Sequence, residues 1–236
     1  MTTSLADHLD AVAANRRTIT VYADEPHPEL GDHFDGWNVE VRFDRLPKGT
    51  ADAFVTVRRG EEFLGSLDMG VFDPLLEPPA SVAESGASGD AGSLDELLSL
   101  LDGTTFRSFD RRQLLAVSRE FEDRAWRYGT GRLHAGFQRP GALAPQREAY
   151  ERLAAKGLDA HVYFDGAWTA APIEGVTSHT DGDDELGRFW FVVFASDSEQ
   201  DCALVAVERD EGYEGFWTYD RERVAAIDEH LRDRYW

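Results

Sequence analysis

The sequence predicts a mixed α/β (α+β) protein of two similar lobes, each a mixed β-sheet of about four strands with flanking helices. Three observations predict it. Amphipathic helical segments alternate with short apolar strands along all 236 residues. The order helix, strand, short helix, strand, strand, strand, helix occurs twice. Between the two copies lies "EPPASVAESGASGDAGS", residues 77–93, whose prolines, glycines, serines and acids read as a flexible linker or long surface loop. The expected units are therefore an N-terminal α/β lobe at 1–76, the linker at 77–93 and a C-terminal domain at 94–236.

In the first lobe, "SLADHLDAVAAN" puts Leu5, Leu9, Val12 and Ala13 on one helical face, with Ser4 as N-cap. "TITVYA" follows as a strand, "ELGDHF" as a short helix or turn, and "NVEVRF" as an alternating strand. "DAFVTVRRGEEFLGSLD" reads as a hairpin turning at Arg59-Gly60, and "MGVFDPLLEP" as a closing helix.

In the second unit, "SLDELLSLL" is a short amphipathic helix and "DRRQLLAVSREFEDRAWRYG" a long one. Asp110 with Gln113 has the spacing of a capping box, and Gly129 stands at the C-terminal stop. Leu114, Val117, Phe121, Ala125 and Tyr128 form the apolar face, so the charges of "SREFEDRAWR" read mostly as a solvated face. "RLHAGF" is a strand, and "PQREAYERLAAKG" a helix opened by Pro145 and closed by Gly157. Strands follow at "AHVYFDG", "RFWFVVFAS", "CALVAVERD" and "EGFWTYD", with a solvated hairpin loop at "SHTDGDDELG" and a last helix at "DRERVAAIDEHLRDRY". Across the repeat, "TITVYA" corresponds to "RLHAGF", "NVEVRF" to "AHVYF", and the first hairpin to the pair "RFWFVVFAS" and "CALVAVERD".

Composition bounds the function. Asp and Glu number 45 against 24 Lys and Arg, a net charge of -21, and Lys48 and Lys156 are the only lysines. An acidic excess spread over the whole chain fits a protein working in concentrated salt, where the Debye length falls to about 3 Å. The expectation is a cytoplasmic protein of an extreme halophile, an archaeon. The same charge disfavours a nucleic-acid partner, and no apolar run suggests membrane insertion. The lone Cys202, in an apolar strand, reads as core and excludes an internal disulfide.

Enzyme signatures are missing: there is no nucleophile elbow, phosphate-binding loop or zincin pair. The seven histidines are scattered, and no metal-ligand spacing stands out. What remains is "GRLHAGFQRP". On a strand, Leu133, Ala135 and Phe137 share one face, while His134, Gly136 and Gln138 share the other. His134 and Gln138 both donate and accept hydrogen bonds on either side of a glycine that admits close approach. The alternative is a strand face covered by a helix, with His134 and Gln138 satisfied internally.

The segments "FRSFDRRQLLAVSREFEDRAW", "GRLHAGFQ", "YERLA", "HVYF" and "GFWTYDRERVAAI" together resemble the DICT sensory domain of diguanylate cyclases and two-component systems, which halophilic archaea also carry as stand-alone proteins. The resemblance is firmest over residues 104–236, and its motifs fall on Ser118, Glu120, Gly136, Phe137, Gln138, Tyr150 and Trp217. It implies a non-catalytic signal-input module but names no ligand and no cofactor. The expected site is His134, Gly136, Phe137, Gln138, Ser118, Glu120 and Trp190. In it, His134 and Gln138 supply hydrogen bonds, while Phe137 and Trp190 supply apolar contact. The expected partners are a small ligand and a signalling or regulatory protein, with homodimerisation left open. The alternatives are an enzyme acting on a small metabolite, or a pure interaction module with an aromatic patch at Trp217, Tyr235 and Trp236.

Overall fold

The computed structural model describes residues 4–13, 17–35, 37–49, 52–72, 98–180 and 184–236. The expected linker at 77–93, and most of the segments "MGVFDPLLEP" and "SLDELLSLL", lie outside them.

Four strands make the first sheet: β1 (Arg17–Ala23), β2 (Val39–Arg45), β3 (Phe54–Arg59) and β4 (Glu62–Asp68), in the order β2-β1-β3-β4. β1 runs parallel to β2 and antiparallel to β3, and β3–β4 is the expected hairpin. Helix α1 (Leu5–Ala13) precedes this sheet, and α2 (Pro28–His33) joins β1 to β2.

The second sheet contains β5 (Thr105–Phe109), β6 (Gly131–Phe137), β7 (Leu158–Tyr163), β8 (Val176–His179), β9 (Phe189–Ala195), β10 (Cys202–Arg209) and β11 (Gly212–Thr218). Their order is β5-β11-β10-β9-β6-β7-β8. Its middle, β7-β6-β9-β10, repeats the first sheet strand for strand. β6 is parallel to β7 and antiparallel to β9, and β9 is antiparallel to β10. The expected correspondences are thus realised in both order and direction. The second sheet is wider than the expected four strands because β5, β11 and β8 extend its two edges. "SHTDGDDELG" is not a hairpin loop: Ser178 and His179 end strand β8, and a short helix, Asp184–Arg188, leads into β9.

Helices cover both faces of the wide sheet. On one, α3 (Arg111–Tyr128) lays Leu114, Val117, Phe121 and Ala125 against Leu133, Ala135, Phe137, Val192, Phe194 and Leu204. Tyr128 stays partly exposed. On the other, α1 and the last helix, Arg221–Tyr235, press Leu5, Leu9, Val12, Val224, Ile227 and Leu231 onto Phe191, Val193, Val205 and Phe216. Being covered twice, β9 is buried at all seven positions, which is why "FWFVVFA" is apolar throughout rather than alternating. Although α1 begins the first half, it therefore packs on the second sheet. Trp37, after α2, packs against Phe106, Phe109 and Trp217, so one core runs through both sheets.

The helix ends follow the local chemistry read in the sequence. The Asp110 carboxylate accepts from the Arg112 and Gln113 N–H groups, and the Gln113 side chain accepts from the Asp110 N–H. Gly129 and Gly157 close α3 and the helix Arg147–Lys156 in the left-handed conformation. Pro145 opens the latter through a 3-10 turn, Ala144–Gln146, rather than in its first α-helical turn. Ser4 and Asp7 cap α1 reciprocally, the Ser4 hydroxyl accepting from Asp7 N–H and the Asp7 carboxylate from Ser4 N–H.

Candidate functional site

Strand β6 lies between two helical layers, so its alternation sends the expected site residues to opposite sides of the sheet. Ala135 and Phe137 face α3. His134 and Gly136 point toward the final helix, and the side chain of Gln138 leaves the strand end toward Arg188.

On the α3 side the second sheet holds a small recess of about 40 Å³, room for about three waters. Its walls include Arg111, Ser118, Arg119 and Glu122 from α3, Gly136 and Phe137 from β6, Trp190 from β9, and Gln146 and Tyr150 from the helical segment after β6. Ser118, Phe137 and Trp190 of the expected set therefore meet in one place, joined by the backbone of Gly136. The Trp190 indole N–H donates to Ser118 Oγ at 3.0 Å, and the Ser118 hydroxyl donates to the Leu114 carbonyl at 2.9 Å. This is how a serine on the apolar face of α3 satisfies its hydroxyl. The Arg111 guanidinium stands 5.5 Å over the Trp190 ring, a cation–π distance. Phe137 meets Tyr150 edge to face, with centroids 5.3 Å apart.

Behind them lies a buried polar network. Tyr150 donates to Glu122 Oε1 at 2.6 Å, while Arg119 donates to both Glu122 Oε2 and Gln146 Oε1. Burial pushes the Glu122 carboxyl above its ordinary range, against the pull of the Arg119 charge. Burial and the facing carboxylate push the Tyr150 phenol up as well. The solvated-face reading of this helix needs correction. Glu120, Glu122 and Arg124 are all buried, because α3 is covered by the sheet on one side and by Tyr150 and Tyr219 on others. Glu120 lies outside the recess, where its carboxylate accepts from Arg127 at 3.0 Å.

His134 sits on the other face, fully buried, and both ring nitrogens are taken. Nε2 lies 2.8 Å from Asp228 Oδ1, and Nδ1 lies 2.8 Å from the Tyr163 hydroxyl. A carboxylate only accepts, so Nε2 carries the proton and Nδ1 accepts from Tyr163, whose oxygen in turn accepts from the Trp236 indole at 3.1 Å. Burial holds the imidazole below its usual pKa and hence neutral. Asp228 also takes a two-pronged bond from Arg132, at 2.9 and 2.8 Å. Burial alone would raise its pKa, but the His134 and Arg132 donors hold it well below the carboxylate range. Gly136 is also enclosed here: a Cβ on it would stand 2.3 Å from the Phe191 ring, so the close approach it permits is used by a core phenylalanine. Gln138, at φ 60, donates through Nε2 to the Arg188 carbonyl.

The histidines that look scattered in sequence form a row. His134 pairs with His161 in register across β6 and β7, and His179 stands beside Tyr163 on β8. The His179 Nδ1–H donates to the Tyr235 carbonyl at 3.0 Å, which leaves Nε2 to accept from His161 Nδ1–H at 2.9 Å. His161 Nε2 lies 3.0 Å from Asp159 Oδ1 but out of line for a hydrogen bond. Trp236 stacks on His161 at 4.4 Å. The signal for this row was parallel pairing: residues at matching positions of neighbouring parallel strands end up side by side. Glu122 and Arg119, which sequence spacing assigns to solvent, carried no comparable signal. Of the proposed aromatic patch, Trp217 is fully buried with its indole donating to the Leu98 carbonyl, while Trp236 is 56% exposed.

Among the described residues, no cluster of three or more His, Cys, Asp or Glu is arranged to hold a metal ion, and no helix is long and apolar enough to cross a membrane.

Comparison with known proteins gives three findings. No curated protein matches the chain. Among solved structures, the crystal structure of a polyphosphate kinase from Porphyromonas gingivalis is similar at a TM-score of 0.39 and 8% identity, covering 97% of this chain. The chain spans 48% of that structure's length. The family model for DICT, the sensory domain in diguanylate cyclases and two-component systems, matches residues 92–209, which contain α3, β6 and the recess between them. With half of its length matched by that model, the chain belongs to the DICT sensory-domain family.

Proposed function

We propose that this chain is a non-catalytic signal-input module. A small ligand enters the recess between α3 and the second sheet, and the module relays occupancy to a signalling or regulatory protein. One observation carries the reading. Four residues singled out from sequence, Ser118, Gly136, Phe137 and Trp190, line a single recess inside the family-matched segment. The ligand set accordingly becomes these four with Arg111, Arg119, Gln146 and Tyr150, and Glu120 leaves it. His134 and Gln138, whose polar atoms are occupied, become the fixed frame behind the strand.

The non-catalytic part rests on the state of the polar groups. The buried Glu122 has one oxygen held by Tyr150 and the other by Arg119, so it presents no free base to a bound molecule. Relay needs only differential affinity. A ligand that prefers one arrangement of Trp190 and the overlying Arg111 shifts the population of that arrangement, and α3 carries the change along its 18 residues. The cell compartment is the cytoplasm of a salt-adapted organism, in keeping with the dispersed acidic surface.

The test is a thermal-shift screen of nucleotides, tetrapyrroles and small organic acids in molar potassium chloride. It compares the native chain with Ala142→Leu, which adds volume at the recess wall. A ligand of the recess raises the midpoint of the native chain by mass action and loses that effect in the variant. A ligand whose shift is the same in both proteins binds elsewhere and removes the recess from the account.

A further inference from the structure

We propose that the recess selects the carboxylate end of a small organic acid, an inference that rests on reading the recess as the ligand site. The argument is an inventory of hydrogen-bonding capacity. The carboxylate, hydroxyl and amide oxygens of Glu122, Ser118 and Gln146 on the wall are each already engaged. Both Glu122 oxygens receive donors, Ser118 Oγ accepts from Trp190, and Gln146 Oε1 accepts from Arg119. The charged capacity left over is donor capacity. The Nε–H of Arg119 is buried without a partner. Arg111 forms no ion pair among the described residues; its guanidinium lies over the Trp190 ring, with the Tyr213 phenol nearby. A buried N–H left unpaired is costly, and a ligand that supplies an acceptor removes that cost.

Charge points the same way. Two guanidinium groups face one carboxylate around the recess, so the local balance is positive on a chain whose net charge is -21. Guanidinium presents its donors in a planar fork that matches a carboxylate, and charge-assisted bonds are about twice as strong as neutral ones. A cationic ligand would have to displace Arg119 from Glu122 and would meet Arg111 at the rim. A neutral amide would use the donors but forgo the charge. The space of about 40 Å³ admits the carboxylate and one or two carbons, so the rest of a larger acid would extend past Trp190 and Arg111 to the rim.

The experiment uses the full chain in molar potassium chloride, where the repulsion from the acidic surface is screened to about 3 Å. The indole N–H resonance of Trp190, assigned with Trp190→Phe, is followed while propionate, propionamide or propylammonium is added. Saturable movement with propionate at about one tenth the concentration needed for propionamide, and less still for propylammonium, is the expected result. Arg119→Gln should erase the difference. Arg111→Gln, altered on the exposed start of α3 where folding is not at stake, should reduce it. If propionamide or propylammonium binds as tightly as propionate, carboxylate selection is overturned while the recess stands as a ligand site. If none of the three moves the Trp190 resonance, the recess reading falls, and this inference falls with it.

Discussion

At the scale of single residues, His134 shows how a polar side chain inside the family-matched segment serves the frame. The alternation of "RLHAGF" was enough to place His134 and Gly136 on one face and Phe137 on the other. It could not say which layer covers each face, because period-two patterning is the same whether a strand meets α3 or the last helix. The consequence is a pH dependence with a definite sign. Burial depresses the His134 pKa below its unfolded value near 6.5, so the stability it secures is full above 6.5 and is lost as pH falls below it. Asp228 is depressed below 3.8, so its share is present above 3.8 and is lost as pH falls further. Stability against urea at fixed salt should thus fall in two steps on acidification. His8 and His179, also held down by burial, share the first. Asp7 and Glu185, also held low, share the second step, so Asp228→Asn should shrink it and cost about 2–3 kcal/mol at neutral pH, because Arg132 and His134 both lose a charged acceptor. A variant with native stability and an unchanged acid profile would show that the Arg132–Asp228–His134 triad contributes nothing to holding the last helix.

At the scale of elements, local chemistry was legible where it is written locally. The capping box of Asp110 and Gln113, the glycine stops at Gly129 and Gly157 and the first hairpin all depend on neighbours within a few residues. The first two appear where the spacing puts them, and the turn, read at Arg59-Gly60, falls one residue on at Gly60-Glu61, with Arg59 paired to Glu62. β8 was not legible. Its four residues form a sheet edge, with Thr177 and Ser178 exposed, so no alternation marks them, and pairing with β7 alone makes them a strand. The buried acids of α3 were hidden for a similar reason: Glu122 is buried because Tyr150 arrives from another helix. Since α3 forms a wall of the recess, its cap is a test of how firmly that wall is held. Asp110 is an exposed residue whose carboxylate serves two backbone N–H groups, and Asp110→Ala should cost about 1 kcal/mol. Amide exchange would locate the loss. Faster exchange in the first turns of α3, around Leu114 and Ser118, is expected, with the centre of β9 unchanged. Uniform acceleration across the sheet would mean that the cap acts on global stability and leaves the recess wall no looser than the rest.

For the whole molecule, the repeat and the charge were the two features read from the sequence without any contact being known. The repeat survives as topology, β2-β1-β3-β4 against β7-β6-β9-β10, although the second copy gained strands at both edges and took α1 from the first half to cover its far face. A common strand order leaves a trace in the spacing of elements, whereas the choice of which helix covers which sheet is made by long-range packing. The charge makes a prediction that belongs to the molecule as a whole. With 45 acidic and 24 basic side chains, self-repulsion opposes the folded state, and the exposed pairs such as Arg59–Glu62 and Arg42–Glu40 are too few and too screened to offset it. Added potassium chloride should therefore raise the urea midpoint. Two mechanisms give that sign and differ in shape. Screening acts steeply at low salt and levels off once the Debye length nears 3 Å, at about 1 M. Exclusion of salt from apolar surface grows steadily with concentration and depends on the anion. A steep rise that saturates near molar salt, equal for chloride and sulfate at matched ionic strength, would assign the effect to the net charge of -21. A linear rise that is larger in sulfate would assign it to burial of the aromatic core, and the acidic surface would then have no part in stability.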